Sequence, residues 1–328
     1  MKFRTELNIE PSACKIACSD PVMMIGSCFA SSMGMQFEAG NFPVMINPSG
    51  TVFNPVSVCN TLNTIAEKRK YGEVDLINYK GNWISLDHYT DFSSHNMGEI
   101  LKKINNRAFE AGEFIAGARF LFITFGTARV YRWKESGKIV SNCHKIPGNN
   151  FIHELLTPGD IISLWQKQLD KLQLLYPSLK IVFTISPVRH WKDGAHGNQV
   201  SKSVLFLAVE ELLKHPSRPS YFPAYELLMD DLRDYRFYDD DMIHPSKVAI
   251  EYIWNEFTKC WFDEATVSLW KEVVKIKKAV SHRIKSGSSV ELKKFAENMI
   301  SRIDTLKHKT PCANLESERN YFTGLTCF

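Results

Sequence analysis

Three short segments that are apolar at nearly every position constrain the fold more than any other feature of this sequence. They are residues 22–25, 120–125 and 181–185, and they are followed by Gly26, Gly126 and Ser186-Pro187. A strand with one solvated face alternates polar and apolar residues, whereas a strand buried on both faces does not. The sequence therefore predicts strands in the interior of a parallel sheet.

Helical segments separate these strands along the chain. Residues 158–175, 201–214 and 246–257 place apolar side chains at helical spacing, and residues 43–46 and 220–222 are weaker strand candidates. The alternation of strands and helices predicts an α/β fold, with a doubly wound parallel sheet in a three-layer α/β/α arrangement. In such a sheet ligands bind at the carboxyl ends of the strands.

The pattern changes after residue 260. One helical stripe there consists of Trp270, Val273, Ile276 and Val280. A second helix is predicted over residues 290–306, and no periodicity is evident from Lys307 onward. We therefore predict an α/β domain over residues 1–260 and a helical C-terminal extension with a tail over residues 261–328.

Composition argues against several classes of partner. The 328 residues include 40 Lys and Arg against 36 Asp and Glu, a formal charge of +4. So small an excess of positive charge gives no electrostatic reason for the protein to bind nucleic acid or an anionic membrane. No apolar run approaches the roughly 20 residues of a membrane span, and residues 1–8 lack the apolar core of a signal peptide. We expect a cytoplasmic protein that binds neither nucleic acid nor membrane.

The eight cysteines are scattered along the chain without a CxxC pair, which argues against a zinc ribbon. In the cytoplasm we expect them to be reduced thiols. No GxGxxG or Walker loop indicates a nucleotide. The sequence thus predicts no cofactor and no metal.

The first candidate site follows the first apolar segment. Gly26 permits a sharp turn, and Ser27 and Cys28 then stand at the predicted start of a helix. Free backbone N–H groups and the positive end of the helix dipole favour a thiolate or an oxyanion there. Either residue can be a nucleophile; alternatively, Ser27 is an N-cap and Cys28 a buried thiol.

The second candidate site combines Asp241 and His244, which one turn of chain brings together. The carboxylate can accept a hydrogen bond from Nδ1–H and leave Nε2 free as a general base. The alternatives are a capping segment with solvated acids, or a cation bound by the carboxylates of residues 239–241.

Three further residues are candidates for substrate binding. Arg189 and His190 follow the third apolar segment, where an arginine can hold a carboxylate or phosphate, and His144 can act similarly from a loop. Equally, Arg189 can form an ion pair with Asp234, Asp239 or Asp240.

Several ordered motifs between about residue 20 and 260 resemble the GSCFA family, named for the run Gly26-Ser27-Cys28-Phe29-Ala30. The others include Asn47-Pro48-Ser49-Gly50, Phe125-Gly126-Thr127-Ala128, Ser186-Pro187-Val188-Arg189-His190 and Asp241-Met242-Ile243-His244-Pro245. That family looks like a branch of the SGNH (GDSL-type) hydrolase superfamily. The resemblance implies a flavodoxin-like doubly wound sheet.

The resemblance also implies roles for individual residues. The superfamily's first block is Gly-Asp-Ser, and its serine is the nucleophile. In the direct alignment Cys28 stands at the position of that serine, whereas an alignment shifted by one residue places Ser27 there. Gly50 matches a glycine that donates its N–H to an oxyanion. Where the superfamily has Gly-x-Asn-Asp, this chain lacks the asparagine, so Thr127 would have to substitute. The final Asp-x-x-His block is intact as Asp241 and His244.

Three functions follow as expectations. The first is hydrolysis of an ester or acyl group, on a small molecule or a carbohydrate, by Ser27 or Cys28. The second is acyl transfer through a Cys28 thioester. The third is a binding module that kept the fold without catalysis.

Overall fold

The computed structural model describes residues 4–281, 289–310 and 313–326. The chain forms two compact units. One comprises Met1–Ile9, Pro21–Gly34 and Met45–Ile253, and the other Glu10–Asp20, Met35–Val44 and Trp254–Phe328.

The described residues form both strands and helices. In chain order the strands are β1 (Val22–Gly26), β2 (Val44–Ile46), β3 (Ile77–Tyr79), β4 (Asn82–Ile84), β5 (Ser93–Ser94), β6 (Phe120–Phe125), β7 (Arg129–Trp133), β8 (Ile139–Val140), β9 (Phe151–Leu155), β10 (Lys180–Ile185) and β11 (Ser220–Tyr221). The α-helices are α1 (Cys28–Ala39), α2 (Pro55–Ala66), α3 (Met97–Gly117), α4 (Pro158–Leu175), α5 (Gly194–Leu212), α6 (Ala224–Glu226), α7 (Lys247–Trp261), α8 (Glu264–Ser281), α9 (Ser289–Lys309) and α10 (Glu316–Leu325). A π-helical segment, Leu227–Leu232, continues α6.

The central sheet has the strand order β2-β1-β6-β10-β11, and its strands are all parallel. Counted along the chain this is the order 2-1-3-4-5 of a flavodoxin-like doubly wound sheet. The predicted three-layer α/β/α fold is confirmed, and the two weaker strand candidates are its edge strands β2 and β11. The strand order reverses between β1 and β6, and such a reversal opens a crevice at the carboxyl ends of the two strands.

Both faces of the central strands are buried. Alternate residues of β1, β6 and β10, such as Ile25, Ile123 and Phe183, join the core formed with α2, α4 and α5. The residues between them, such as Met24 and Phe122, are equally buried. This explains why the strands read as continuous apolar segments.

Two small antiparallel sheets were not predicted. Their orders are β3-β4-β5 and β8-β7-β9. Their strands are two to five residues long and only partly buried, with Arg, Trp and Tyr among the apolar residues. No apolar run marks them in the sequence.

The second unit contains an aromatic cluster and the C-terminal helices. Phe37 packs edge-on against Trp254 and Phe257, with ring centroids 5.1 and 5.7 Å away. The predicted helical stripe lies on α8, with Val273 and Ile276 buried. The expectation of an aperiodic tail was wrong, because α10 forms there; its buried residue Phe322 alone makes no stripe.

The expected reduced cysteines are found at Cys14, Cys28, Cys59, Cys143 and Cys260, which are free. The expectation was wrong for Cys18, which is disulfide-bonded. Cys312 and Cys327 lie outside the described residues.

Gly26 ends β1 at a close approach to β6. It is in register with Thr124, and its φ is +143°. A Cβ at this position would lie 2.1 Å from the Thr124 carbonyl oxygen. Only glycine fits here, both because of the contact and because of the backbone conformation.

Lys202 lies on α5 with its side chain fully buried. Its Nζ donates to the carbonyl oxygens of Gly126 at 2.7 Å and Ser186 at 2.6 Å. These residues directly follow β6 and β10, so the lysine fixes the carboxyl ends of two neighbouring strands. Burial lowers the pKa of Lys202 to about 7.

We predict that Gly26→Ala lowers the free energy of unfolding by roughly 3 kcal/mol or more, because the methyl group collides with backbone and the φ suits glycine alone. Urea denaturation measures the change. The control is Gly117→Ala, where nothing lies within 4 Å of the added Cβ. Equal destabilisation by both substitutions would contradict the close approach.

We predict that Lys202 makes the free energy of unfolding depend on pH. Its pKa is lowered to about 7 in the folded state against 10.5 for the free side chain, so between these values the unfolded chain binds the extra proton. Stability should then rise with pH in this window, relative to Lys202→Met, by up to about 1.4 kcal/mol per pH unit.

The measurement is urea denaturation of both proteins from pH 7 to 10, with the exposed Lys214→Met as control. A difference between wild type and Lys202→Met that stays flat or falls with pH would show that Lys202 keeps its proton.

Candidate active site

Asp241 and His244 form the predicted pair. The His244 Nδ1 lies 2.6 Å from Asp241 Oδ2, while Asp241 Oδ1 accepts the backbone N–H groups of Ile243 and His244, each at 2.9 Å. These N–H groups, with the imidazole, lower the pKa of Asp241 to about 2. The carboxylate therefore stays ionised, holds the ring and leaves Nε2 for proton transfer.

The loop that carries this pair is fixed by backbone contacts. Tyr238 and Pro245 form an isolated antiparallel bridge, and the Asp239 N–H donates to the His244 carbonyl at 2.8 Å. The side chains of Asp241 and His244 are nonetheless almost half exposed.

Ser27 and Cys28 occupy different environments. Ser27 is 1% exposed, and its Oγ accepts the N–H of Phe29 at 3.3 Å, so it caps α1. Cys28 is the first residue of α1 and is partly exposed. Burial raises the pKa of the Cys28 thiol, and its own backbone N–H opposes this only partly. The thiol is thus neutral near pH 7 and requires a base to act as a nucleophile.

Asn47 connects the end of β1 to α1. Its Oδ1 accepts the N–H of Gly26 at 2.8 Å, and its Nδ2 donates to Ser31 Oγ at 2.8 Å. The residue adopts a left-handed conformation with φ of 41°, which asparagine tolerates better than most residues. The turn before Cys28 is therefore held by a side chain from the next loop.

The two predicted oxyanion donors are engaged in internal hydrogen bonds. The Gly50 N–H donates to the Asn47 carbonyl at 2.8 Å. The Thr127 hydroxyl lies 2.9 Å from Ser201 Oγ and accepts the Arg129 N–H at 3.0 Å. In this conformation neither group is free for a ligand, so their oxyanion role stays a prediction.

His190 presents a buried nitrogen without a partner at the same sheet edge. Its Nε2 makes no hydrogen bond and lies 3.0 Å from where a Gly126 Cβ would stand. The ring packs edge-on against Phe53, with centroids 5.6 Å apart, and its backbone N–H donates to Asn198. Burial first, then the charges of Lys202 and His244, lower the pKa of His190 to about 3. The imidazole is therefore neutral near pH 7, so one ring nitrogen carries a proton and the other does not.

Arg189 precedes His190 and makes no ion pair with Asp234, Asp239 or Asp240. The Asp234 carboxylate instead pairs with Arg236 at 3.1 Å. The Arg189 Nε is buried without a partner, and the guanidinium lies 4.3 Å from the ring centre of Trp191. Of the two roles that the sequence left open for Arg189, ion pairing with these acids is not realised.

His144 forms hydrogen bonds to backbone carbonyls of another loop. It is buried, and its Nε2 donates to the carbonyl oxygens of Ser85 at 2.8 Å and His88 at 3.0 Å. Burial lowers the pKa of His144, which keeps the ring neutral. These bonds give it a structural role that the substrate-binding prediction did not anticipate.

Sequence reasoning gave no separate role to Lys202 and Arg233. A signal for Lys202 was present, because it lies three and seven residues before the buried Leu205 and Val209 on one helix face. Arg233 carries no such signal, since its position depends on the π-helical segment before it.

Two general features bear on function. Within residues 4–281, 289–310 and 313–326, no helix combines the length and apolarity required to cross a bilayer. Over the same residues, no cluster of three or more His, Cys, Asp or Glu side chains could hold a metal ion.

Two family models match the chain. The model of the GSCFA family matches residues 21–257, and that of the GSCFA domain protein, C-terminal domain, matches residues 273–324. None of the curated proteins matches the chain. The first match contains every residue of the candidate site and most of the chain, and the protein belongs to the GSCFA family.

Proposed function

We propose that the protein is an SGNH-like acyl hydrolase, in which Cys28 is the nucleophile, His244 the general base and Asp241 the residue that orients it. The observation that carries this proposal is the 2.6 Å contact between His244 Nδ1 and Asp241 Oδ2, which leaves Nε2 as a base. The charge of His244 also lowers the pKa of His190, which follows β10. Cys28 is a free thiol, as a cysteine nucleophile requires.

Cys28 is preferred over Ser27 for a physical reason. The Ser27 hydroxyl is buried and accepts a helix N–H, so using it as a nucleophile would remove the N-cap of α1. The Cys28 thiol is partly exposed and stands at the positive end of the same helix.

The reaction proceeds in two halves. His244 Nε2 takes the thiol proton as Cys28 Sγ attacks the acyl carbon, and the resulting imidazolium donates that proton to the departing alcohol. This leaves an acyl-cysteine thioester. His244 then takes a proton from water, whose oxygen attacks the thioester carbon. As the C–S bond breaks, the imidazolium returns that proton to the Cys28 sulfur, and the carboxylic acid and the free thiol are released.

The oxyanion of both tetrahedral intermediates requires donors. The Cys28 N–H at the start of α1 is one candidate. The His190 Nε2 is the second, because a neutral imidazole protonated at this nitrogen can donate without carrying a charge. It would replace the asparagine amide that the Gly126-Thr127-Ala128 segment lacks.

A non-catalytic binding module is the alternative that a specific observation favours. Both Gly50 N–H and the Thr127 hydroxyl are used in internal hydrogen bonds. That alternative predicts no covalent labelling at Cys28. Acyl transfer through the Cys28 thioester shares the first half-reaction and differs only in the acceptor.

We predict His244-dependent reactivity at Cys28. With limiting iodoacetamide at pH 7, Cys28 should be alkylated at least tenfold faster in the wild type than in His244→Ala, because its thiol pKa is raised by burial and the base is needed. Peptide mass spectrometry measures the rate at each cysteine.

Cys143 is the matched internal control, since it is also partly exposed and burial raises its pKa to about 11. Ser27→Ala should cost about 1 kcal/mol of stability through loss of the cap but leave Cys28 reactive. Alkylation of Cys28 no faster than Cys143, or unchanged in His244→Ala, would reject the proposal.

We predict that His190 acts on the rate of turnover rather than on substrate binding. On 4-nitrophenyl acetate, His190→Ala should lower kcat by roughly 100-fold with little change in KM, since an oxyanion donor acts in the transition state. His190→Gln keeps an amide donor and should recover part of the rate.

The pH profile gives a second readout. Because the pKa of His190 is lowered to about 3, its titration should not appear in the kcat profile between pH 5 and 9. A rise in KM at constant kcat, or equal rates for the Ala and Gln variants, would assign His190 a role other than oxyanion donor.

A further inference from the structure

A cavity of about 150 Å³ lies next to the loop that carries His244. Its lining includes Arg189, Met229, Arg233, Asp234, Tyr235 and Tyr238. Tyr238 bridges to Pro245, the residue after His244, and Arg189 directly precedes His190. The cavity therefore adjoins the candidate active site along two chain segments.

The charges of this cavity are unbalanced. Neither Arg189 nor Arg233 forms an ion pair among the described residues, while the carboxylate in the wall, Asp234, is bound by Arg236 at 3.1 Å. The Arg189 Nε is buried without any hydrogen-bond partner. A buried donor of this kind is costly unless a ligand satisfies it.

Different contacts position Arg189 and Arg233. The guanidinium of Arg189 stacks on Trp191, and the backbone beside it is fixed by the bond from the His190 N–H to Asn198 at 2.9 Å. Arg233 ends the π-helical segment with φ of 38° and donates its N–H to the Leu228 carbonyl at 3.0 Å. Glycine is preferred at such a left-handed helix end. The backbone conformation therefore does not explain why this position carries an arginine.

We propose that this cavity binds the anionic group, a carboxylate or a phosphate, of the substrate whose acyl bond is cleaved at Cys28. The inference rests on the proposed function and gives it a substrate class. Two guanidinium groups offer the forked donor geometry that carboxylate and phosphate oxygens accept. The tyrosine rings and Met229 supply the apolar wall for the carbons next to that group.

Isothermal titration calorimetry tests binding independently of turnover. The probes are butyrate, inorganic phosphate and the uncharged 1-butanol, none of which carries an ester bond. We expect saturable binding of at least one anion and none of 1-butanol at the same concentration. The anion that binds with the higher affinity shows whether the substrate carries a carboxylate or a phosphate.

The variants are Arg189→Gln, Arg189→Lys and Arg233→Gly, with Arg218→Gln as the charge-matched control at an exposed residue outside the cavity lining. Arg189→Gln and Arg233→Gly should each weaken anion binding roughly tenfold or more. Arg189→Lys should recover only part of it, because it keeps the charge and loses the fork. Arg233→Gly also suits the left-handed backbone, so its loss of binding cannot come from misfolding.

His244→Ala separates this inference from the proposed function. It should bind the anion as the wild type does, even though Cys28 loses its reactivity. Failure of both anions to bind, or an equal loss of binding in Arg218→Gln, would overturn the anion site whatever the result at Cys28. Anion binding with an unreactive Cys28 would instead retain the site and reject the hydrolase.

Discussion

At Gly26 the backbone of β1 comes so close to Thr124 of β6 that no side chain fits between them, and the rest of the site depends on this approach. It brings the carboxyl ends of two parallel strands together where the strand order reverses. The chain must then turn at once into α1, which leaves Cys28 at the helix start. Asn47 secures the turn by accepting the Gly26 N–H. A nucleophile can be placed in this way only if the turn cannot relax.

Burial of polar groups behind this edge sets its chemistry. Lys202 satisfies the carbonyls that follow β6 and β10, and its proximity helps to keep His190 uncharged. A neutral imidazole can donate a hydrogen bond without repelling the imidazolium that would form at His244 in the proposed reaction. At the same sheet edge Arg189 has a buried Nε–H without a hydrogen-bond partner. The edge therefore places the neutral imidazole of His190 near Gly126 and a positive charge in the neighbouring cavity.

The sequence predicts those parts of the fold and site that depend on local patterns. Continuous apolar segments identify β1, β6 and β10 because both faces of each are buried, and Asp241 reaches His244 because three residues of chain suffice. What it cannot predict depends on partners far along the chain. Thr127 loses its free hydroxyl to Ser201, and Gly50 donates within its own turn, although each fits the pattern of an oxyanion donor. Likewise, our proposal of Cys28 over Ser27 as the nucleophile depends on the hydrogen bond by which the Ser27 hydroxyl caps the helix, one of two roles that the sequence left open for Ser27.

Cys28 and His244, the proposed nucleophile and base, are held by different means, and this difference bears on how the proposed site would work. Asp241 is exposed, and an exposed ion pair alone contributes little in water. Its pKa is low because two backbone N–H groups bind the carboxylate, so His244 keeps its orientation while the site is open to solvent. Stabilisation of an oxyanion near Gly126, in contrast, gains strength only when water is excluded. The scaffold supplies a partly buried wall of Phe53 and His190 but leaves the His244 side exposed. It follows that a bound acyl substrate, anchored by its charged end at Arg189, would itself complete the water-excluding environment in which Cys28 reacts.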